Sequence, residues 1–313
     1  MKQGFRTKTA YLLLGINILL NTLISLVILV PILIGIFNCR NPYIALGIPL
    51  LLPLGMTALA STDSLTGILK FFYINNTRKL LKEEEEYLNS IVNEILLIIN
   101  SEKNLELKIE QFKFEIIKTR GLEAFAYGKN TICVSEGFLY DENISEDELK
   151  AVLMHEFSHI LNKDTIFLMC MLISNLFMKG IGSVGSFWIR GMGEKSRYSD
   201  ERNNTFILDI IILIIYFIFV KLLSDTILTI LLRVHDRKIE YQCDEFVAEL
   251  GYRDSLISVF NKFLALERLY GISTSNSLVQ ILYSTHPKTE DRIRKLEEYE
   301  KEEKQEKQEI GYI

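Results

Sequence analysis

Histidine and cysteine are both scarce in this chain of 313 residues, which contains four of each. The cysteines form no C-x-x-C pair, which argues against both a cysteine zinc site and a disulfide scaffold; they are Cys39, Cys133, Cys170 and Cys243. No G-x-x-x-x-G-K-[ST] motif occurs, so no nucleotide partner is expected. A net charge of −5 argues against a nucleic-acid partner.

Apolar residues are abundant, at 49% of the sequence, and they concentrate in four runs. The first two, 10–37 and 43–60, are near or above the roughly 20 residues that span a bilayer. The third run, 165–178, is a full span only if it continues to about residue 188; a membrane-associated or core helix is the alternative. The fourth run, 206–232, is long enough but carries three ionisable residues. The sequence therefore predicts four transmembrane helices.

The basic residues around the first two runs predict the orientation. Three basic residues precede the first run and three follow the second, which places both flanks in the cytoplasm by the positive-inside rule; they are Lys2, Arg6, Lys8, Arg78, Lys79 and Lys82. Four spans would then leave residues 62–164 and 233–313 on the same, cytoplasmic side of the membrane.

Two of the four histidines form an H-E-x-x-H pattern at His155, Glu156 and His159. The segment reads as a helix over 145–164, because Ser145 and Glu148 match a capping box and neither Pro nor Gly interrupts it. Histidines at i and i+4 share one helix face and reach a single zinc ion, while the glutamate serves as a general base. The alternative is a helix that places these residues on a solvated face.

A zinc hydrolase needs a third protein ligand, with a fourth position open to water. The metzincin pattern is absent, because positions 162 and 165 are Asn and Thr. The best candidate is Glu240, with Asp244 at i+4 on the same helix face as a carboxylate partner for a zinc histidine. The alternative for Glu240 is a surface acid that pairs with a neighbouring basic residue.

Several ordered segments resemble the HtpX-like heat-shock proteases, a family of membrane-bound zinc peptidases. They are A-F-A at 124–126 with G-K-N at 128–130, V-S-E-G-F-L at 134–139, the helix from 148 through the H-E-x-x-H, E-Y-Q-C-D at 240–244, and T-H-P at 285–287 with R-I at 292–293. The resemblance covers about residues 80–295 and the membrane layout. Two departures are Glu123, where the family commonly has Asn, and Cys243, where it usually has Ala; neither is expected to touch a zinc ligand.

The resemblance implies a mainly α membrane protein with a cytoplasmic α+β zincin-type, gluzincin-like metalloprotease domain. The predicted domains are a transmembrane hairpin (1–61), the first part of the protease domain (62–164), a second transmembrane pair (165–232), the second part of the protease domain (233–295) and a charged tail (296–313). One Zn²⁺ per chain is expected on His155, His159 and Glu240. The expected location is a prokaryotic inner or plasma membrane.

The resemblance also implies roles for further residues. Glu156 is the general base, and His286 or Arg292 stabilises the oxyanion; spacing alone does not choose between them. Ala124, Phe125 and Ala126 would form a strand that binds substrate by main-chain pairing, or else an ordinary hairpin.

Unfolded or damaged membrane proteins in the bilayer are the expected substrates of such a quality-control endopeptidase. Two other functions stay open from the sequence. One is a processing peptidase with a single dedicated substrate, and the other is a zinc-binding membrane sensor or scaffold without proteolytic activity.

Overall fold

The computed structural model describes residues 8–35, 40–74, 76–176, 180, 237–270 and 287–310. These residues fall into two compact units. The helical unit comprises described residues within 8–65 and from 167 onward to 180. The sheet unit comprises described residues within 66–166 and 237–310.

The helical unit contains helix α1 (Lys8–Gly35) and helix α2 (Pro42–Ala60). Among the described residues, two helices are long and apolar enough to cross a membrane, over Lys8–Leu26 and Pro42–Ala60. They correspond to the first two predicted spans. Of the third predicted span the structure describes an apolar helix over Asp164–Leu176; apart from Gly180, the rest of that span lies outside the described residues. The fourth predicted span lies outside the described residues.

Buried polar side chains connect the helices of the helical unit. The hydroxyl groups of Thr57 and Ser174 are hydrogen-bonded at 3.1 Å, and the Asn175 amide donates to Asn17 Oδ1 at 3.5 Å. The outer faces of α1 and α2 expose leucines instead, among them Leu12, Leu19, Leu51 and Leu54. Polar contacts between helices with apolar residues facing outward are typical of helices packed in lipid.

Within the described residues the sheet unit contains eight more helices, one of which it shares with the helical unit, and four short strands. In chain order they are α3 (Thr66–Tyr73), β1 (Thr77–Arg78), α4 (Lys82–Lys103), β2 (Lys113–Ile117), β3 (Ala124–Tyr127), β4 (Thr131–Ser135), α5 (Glu136–Tyr140), α6 (Glu146–Leu161), α7 (Asp164–Leu176, which continues into the helical unit), α8 (237–249), α9 (Arg253–Tyr270) and α10 (Thr289–Ile310).

The four strands form one sheet in the order β1-β2-β4-β3. Strand β2 runs parallel to β4, and β3 runs antiparallel to β4, with Phe125 opposite Cys133 and Tyr127 opposite Thr131. The turn between β3 and β4 contains Gly128 at φ 63°, a conformation that glycine adopts without steric cost. In the described part of the chain β3 pairs only with β4, so it is an edge strand beside the helix that carries the H-E-x-x-H motif.

The core of the sheet unit lies between the sheet, α4, α6 and α9. Helix α4 contributes an apolar stripe at helical spacing, as its sequence predicts; the stripe comprises Leu88, Ile91, Val92, Ile95, Leu96 and Ile99. Phe157 of α6 is fully buried and meets Phe112 edge-on at a centroid distance of 4.9 Å. Phe157 lies between the two histidines of the motif in the sequence, so its packing holds this part of α6 in the core.

Gly137 at the start of α5 lies against backbone that leaves no room for a side chain. A Cβ atom there would stand 2.5 Å from the carbonyl oxygens of both Arg120 and Gly121.

We expect Gly137→Ala to lower the free energy of unfolding by at least about 2 kcal/mol, because backbone must move to accept the methyl group. Thermal unfolding followed by circular dichroism measures the loss. Gly121→Ala is the matched control, since its new Cβ would meet Thr119 Oγ1 at an ordinary 3.5 Å; equal destabilisation of both variants would contradict the prediction.

A buried ion pair attaches the start of α4 to β1. Arg78 donates to both carboxylate oxygens of Glu84 at 2.6 and 2.7 Å, and the backbone N–H of Leu81 donates to the same carboxylate. The hydrogen bonds from Arg78 outweigh the effect of burial and lower the pKa of Glu84 to about 2. The ordinary value of an unfolded glutamate is about 4.3, so the unfolded chain takes up this proton first as the pH falls.

The stability that Glu84 contributes should therefore be complete above about pH 5 and be lost progressively towards about pH 2. We expect Glu84→Gln to be less stable than the unmodified protein at pH 7 and to show a weaker decline in melting temperature as the pH is lowered. Melting curves of both proteins at a series of pH values between 7 and 3 test this. Parallel pH profiles would show that Glu84 does not carry the effect.

Candidate metal centre

Helix α6 places the two histidines of the H-E-x-x-H motif at the same point. The helix begins with the predicted capping box, in which the Ser145 backbone N–H donates to Glu148 at 2.7 Å and the Glu148 N–H donates to Ser145 Oγ at 3.2 Å. One turn apart near its C-terminal end, His155 and His159 bring their Nε2 atoms to 3.2 Å from each other. Both nitrogens thus face a common position.

Glu240 of α8 completes a triangle with the two histidines. Its Oε2 lies 3.3 Å from His155 Nε2, and its Oε1 lies 3.3 Å from His159 Nε2. Tetrahedral zinc with bonds of about 2.0–2.1 Å requires ligand atoms about 3.3 Å apart. The two nitrogens are separated by 3.2 Å, and each has one Glu240 oxygen at 3.3 Å, so the three side chains suit the ion and would leave a fourth position open. The Glu240 side chain is only 3% exposed, which does not agree with the alternative of a surface acid.

Asp244 and Arg292 form a second layer behind His155. Asp244 Oδ1 lies 3.1 Å from His155 Nδ1, so one ring nitrogen faces the metal position and the other faces a carboxylate, the usual arrangement at zinc histidines. Arg292 donates twice to Asp244, at 2.8 and 2.5 Å, and its Nη1 lies 3.2 Å from Glu240 Oε2. The guanidinium also stacks over the Phe260 ring.

Contacts between opposite charges change the pKa values of Asp244 and His155 in this cluster. Burial alone would raise the pKa of Asp244, but the Arg292 guanidinium outweighs it and holds that pKa below its ordinary value. Burial lowers the pKa of His155, yet its contacts with Asp244 and Glu240 raise that pKa to about 9. Without a metal, a proton on His155 compensates the buried carboxylates, and a metal ion would take the place of that proton.

Two partners of His159 were missed by the sequence reading. Asp164 Oδ2 lies 3.3 Å from His159 Nδ1, and the thiol of Cys243 lies 3.5 Å from the same nitrogen. The expectation that Cys243 touches no presumed ligand is therefore wrong. A periodicity signal was present, since Cys243 follows Glu240 at i+3 on α8 and so shares its face.

Cys243 also belongs to a possible metal-binding group with the two histidines, whose donor atoms all lie within 4.8 Å of one another. Its thiol faces Nδ1 of His159, however, whereas Glu240 faces Nε2 of both histidines. These contacts favour Glu240 over Cys243 as the third ligand to propose, and place the Cys243 thiol against the other ring nitrogen of His159.

The remaining predicted residues are placed as follows. Glu156 lies in α6 between the two histidines in the chain and is buried. Phe125 and Ala126 are buried in β3 and Ala124 is partly buried, so this strand offers its main chain rather than these side chains to a partner. Arg292 directs its guanidinium at Asp244 and Glu240. His286 lies outside the described residues.

A comparison with protein families agrees with this centre. The family model of peptidase family M48 matches residues 82–300, which include both histidines, Glu240 and Arg292. The chain belongs to peptidase family M48. This is a metallopeptidase family, and within it the resemblance to HtpX-like proteases is confirmed by the curated relatives.

Those relatives carry the name Protease HtpX homolog. A protein of Lactobacillus acidophilus is 29% identical over 198 residues, which cover 58% of this chain and 65% of the relative. One of Lactobacillus helveticus is 25% identical over 248 residues, covering 72% and 77%, and one of Pyrococcus abyssi is 27% identical over 244 residues, covering 71% and 76%. The chain thus spans less than two thirds of the first relative's length.

Among solved structures, Ste24p of S. mikatae matches with a TM-score of 0.45 and 18% identity, covering 93% of this chain and 66% of that protein. The M48 family, its HtpX-like members and the two apolar helices together identify a membrane protein.

Proposed function

We propose that this M48 member is a membrane-bound, zinc-dependent endopeptidase that cleaves misfolded or damaged membrane proteins on the cytoplasmic side. Two contacts carry the proposal. His155 Nε2 and His159 Nε2 lie 3.2 Å apart on the helix that also holds Glu156. Each of these nitrogens lies 3.3 Å from one carboxylate oxygen of Glu240, which belongs to α8. When bound there, zinc supplies a Lewis acid and lowers the pKa of a water molecule towards about 7.

The residues of the chain divide the remaining tasks. Glu156 accepts the proton of the attacking water and later delivers a proton to the leaving amine. Asp244 accepts a hydrogen bond from Nδ1 of His155, and Asp164 does the same for His159, which holds both rings in one tautomer. His286 remains the predicted donor to the oxyanion, because the donors of Arg292 already contact two carboxylates.

The position of strand β3 at the edge of the sheet favours substrates of many different sequences. It is a sheet edge next to α6, and an extended peptide can add to such an edge through main-chain hydrogen bonds that read little of the sequence. Access of this kind requires an unfolded substrate, which is the reason to expect damaged proteins rather than folded ones.

The meeting of the ligands supports the proposed topology. His155 and Glu240 lie 3.3 Å apart although the segment between them contains two apolar runs. Both ligands must be on one side of the membrane, which is what the predicted pair of spans within 165–232 provides. The basic flanks of the first two spans favour the cytoplasm for that side.

Cleavage in proteoliposomes tests the substrate class. The zinc-loaded protein would be mixed with a membrane protein that bears either an unstructured or a folded soluble extension. We expect several cuts in the unstructured extension and none in the folded one. A single cut at the same position in both the unstructured and the folded extension would indicate a dedicated processing peptidase. Absence of cleavage with zinc bound would contradict the proposal and favour a sensor or scaffold.

A further inference from the structure

Helix α3 presents an apolar face that the sheet unit does not cover. Ile68, Phe71 and Phe72 are 41%, 79% and 55% exposed and lie at i, i+3 and i+4, which is one face of the helix. The two aromatic rings meet edge-on with centroids 5.1 Å apart. Adjacent exposed aromatic residues of this size mark an interaction surface rather than an ordinary solvated face.

The opposite side of α3 is tied to the sheet. Lys70 donates to both carboxylate oxygens of Glu115 at 2.7 Å. Glu115 belongs to β2, where it lies opposite Cys133 of β4, and Cys133 lies opposite Phe125 of the edge strand β3. The apolar face of α3 therefore has a defined orientation relative to the edge strand.

The short connection from α2 limits how far α3 can lie from the end of the proposed second span. Helix α2 ends at Ala60 and α3 begins at Thr66, so five residues separate them. Five residues reach at most about 20 Å when fully extended, and three of them form a 3-10 turn that shortens this reach. Lys79 and Lys82 follow α3 and are exposed, which suits the anionic surface of a cytoplasmic leaflet.

We propose that α3 lies along the membrane surface, with Ile68, Phe71 and Phe72 inserted at the boundary between headgroups and acyl chains. Through the contact of Lys70 with Glu115 and the pairing of the sheet it then sets the orientation of β3 relative to the bilayer. Helices with one apolar aromatic face and a polar opposite face bind membranes in this way. The location of α3 does not depend on the proposed peptidase activity.

Fluorescence quenching by brominated lipids tests the location in the full-length protein. Phe71→Trp is made together with Trp188→Phe, which removes the only native tryptophan, and is reconstituted in phosphatidylcholine and phosphatidylglycerol vesicles. We expect lipids brominated near the headgroup end of the acyl chain to quench the new tryptophan by at least twofold, and acrylamide to quench it weakly. Leu97→Trp in the same background is the control, because Leu97 is 70% exposed on α4; it should respond to acrylamide alone.

Three results would overturn the location. Quenching of the tryptophan at position 71 by acrylamide as strong as at position 97 would place α3 in water. Resistance to both quenchers would mean that protein covers the face, either a second copy or another segment of this chain. Stronger quenching by bromine near the bilayer centre would place the helix inside the membrane.

The effect on orientation is tested with Phe71→Ser combined with Phe72→Ser. We expect this variant to cleave a bilayer-embedded substrate several-fold more slowly than the unmodified protein, yet to cleave a soluble unfolded protein in detergent at the same rate. Equal losses in both assays would contradict the orienting role. Inactivity of the unmodified protein in both assays would count against the proposed function while leaving the quenching result intact.

Discussion

Replacing Glu156 with Gln is expected to reduce peptide-bond cleavage by at least about 10³-fold while zinc remains bound. General acid–base groups contribute about 10²- to 10⁴-fold, and Glu156 is assigned both proton transfers. Glutamine has nearly the same shape, and the triangle of His155, His159 and Glu240 is unchanged by it. Cleavage of an unfolded model protein, together with zinc content by atomic absorption, measures both quantities.

Glu146→Gln is the matched control for this substitution. Glu146 lies in the first turn of the same helix, where it pairs with Lys150 and is half-exposed. We expect this variant to retain nearly full activity. Full activity of Glu156→Gln would remove the assignment of the general base, and loss of zinc from Glu156→Gln would show that Glu156 supports the metal instead.

The second large effect is expected at the pair of Asp244 and Arg292. Asp244→Asn removes the carboxylate behind His155 and should weaken zinc binding by about 10- to 100-fold. Arg292→Ala leaves Asp244 and Glu240 buried without their cation, which in comparable buried pairs costs about 3–5 kcal/mol of stability. Zinc affinity by competition with a chelating dye and thermal unfolding of the zinc-free protein measure these changes.

These measurements separate two roles of Arg292. If Arg292 neutralises the carboxylates, its replacement should lower both stability and zinc affinity. The double variant Arg292→Ala with Asp244→Asn should then be more stable than Arg292→Ala alone, because one of the buried carboxylates is removed along with its cation. An oxyanion donor should instead lower kcat with zinc affinity and stability unchanged. The contacts of Arg292 favour the first outcome.

Local patterns were sufficient for the elements that bear the site. The capping box at Ser145 and Glu148 predicted the start of α6, and the structure begins this helix at Glu146. The helix ends at Leu161, earlier than predicted, because Lys163 adopts a left-handed conformation and breaks it. The strand expected at Ala124, Phe125 and Ala126 is β3, which the structure has at Ala124–Tyr127.

Contacts between distant segments could not be read in the same way. Spacing left Glu240 as either a ligand or a surface acid, and only the packing of α8 against α6 brings it within 3.3 Å of both histidines. The resemblance implied an oxyanion role for His286 or Arg292, whereas the position of Arg292 in α10 gives it two carboxylate partners. Cys243 and Asp164 at His159 were not anticipated as site residues at all.

The sequence by itself determined the helix of the H-E-x-x-H motif, the two long apolar helices and the family to which the chain belongs, because each of these depends on residues near one another in the chain or on ordered motifs. Tertiary structure alone decided which carboxylates and which cation surround the histidines, and which face of α3 is exposed. Those features depend on distances between elements that are far apart in the chain. Helical or strand periodicity specifies only the face on which a residue lies, and it does not specify which side chains of another element that face will contact.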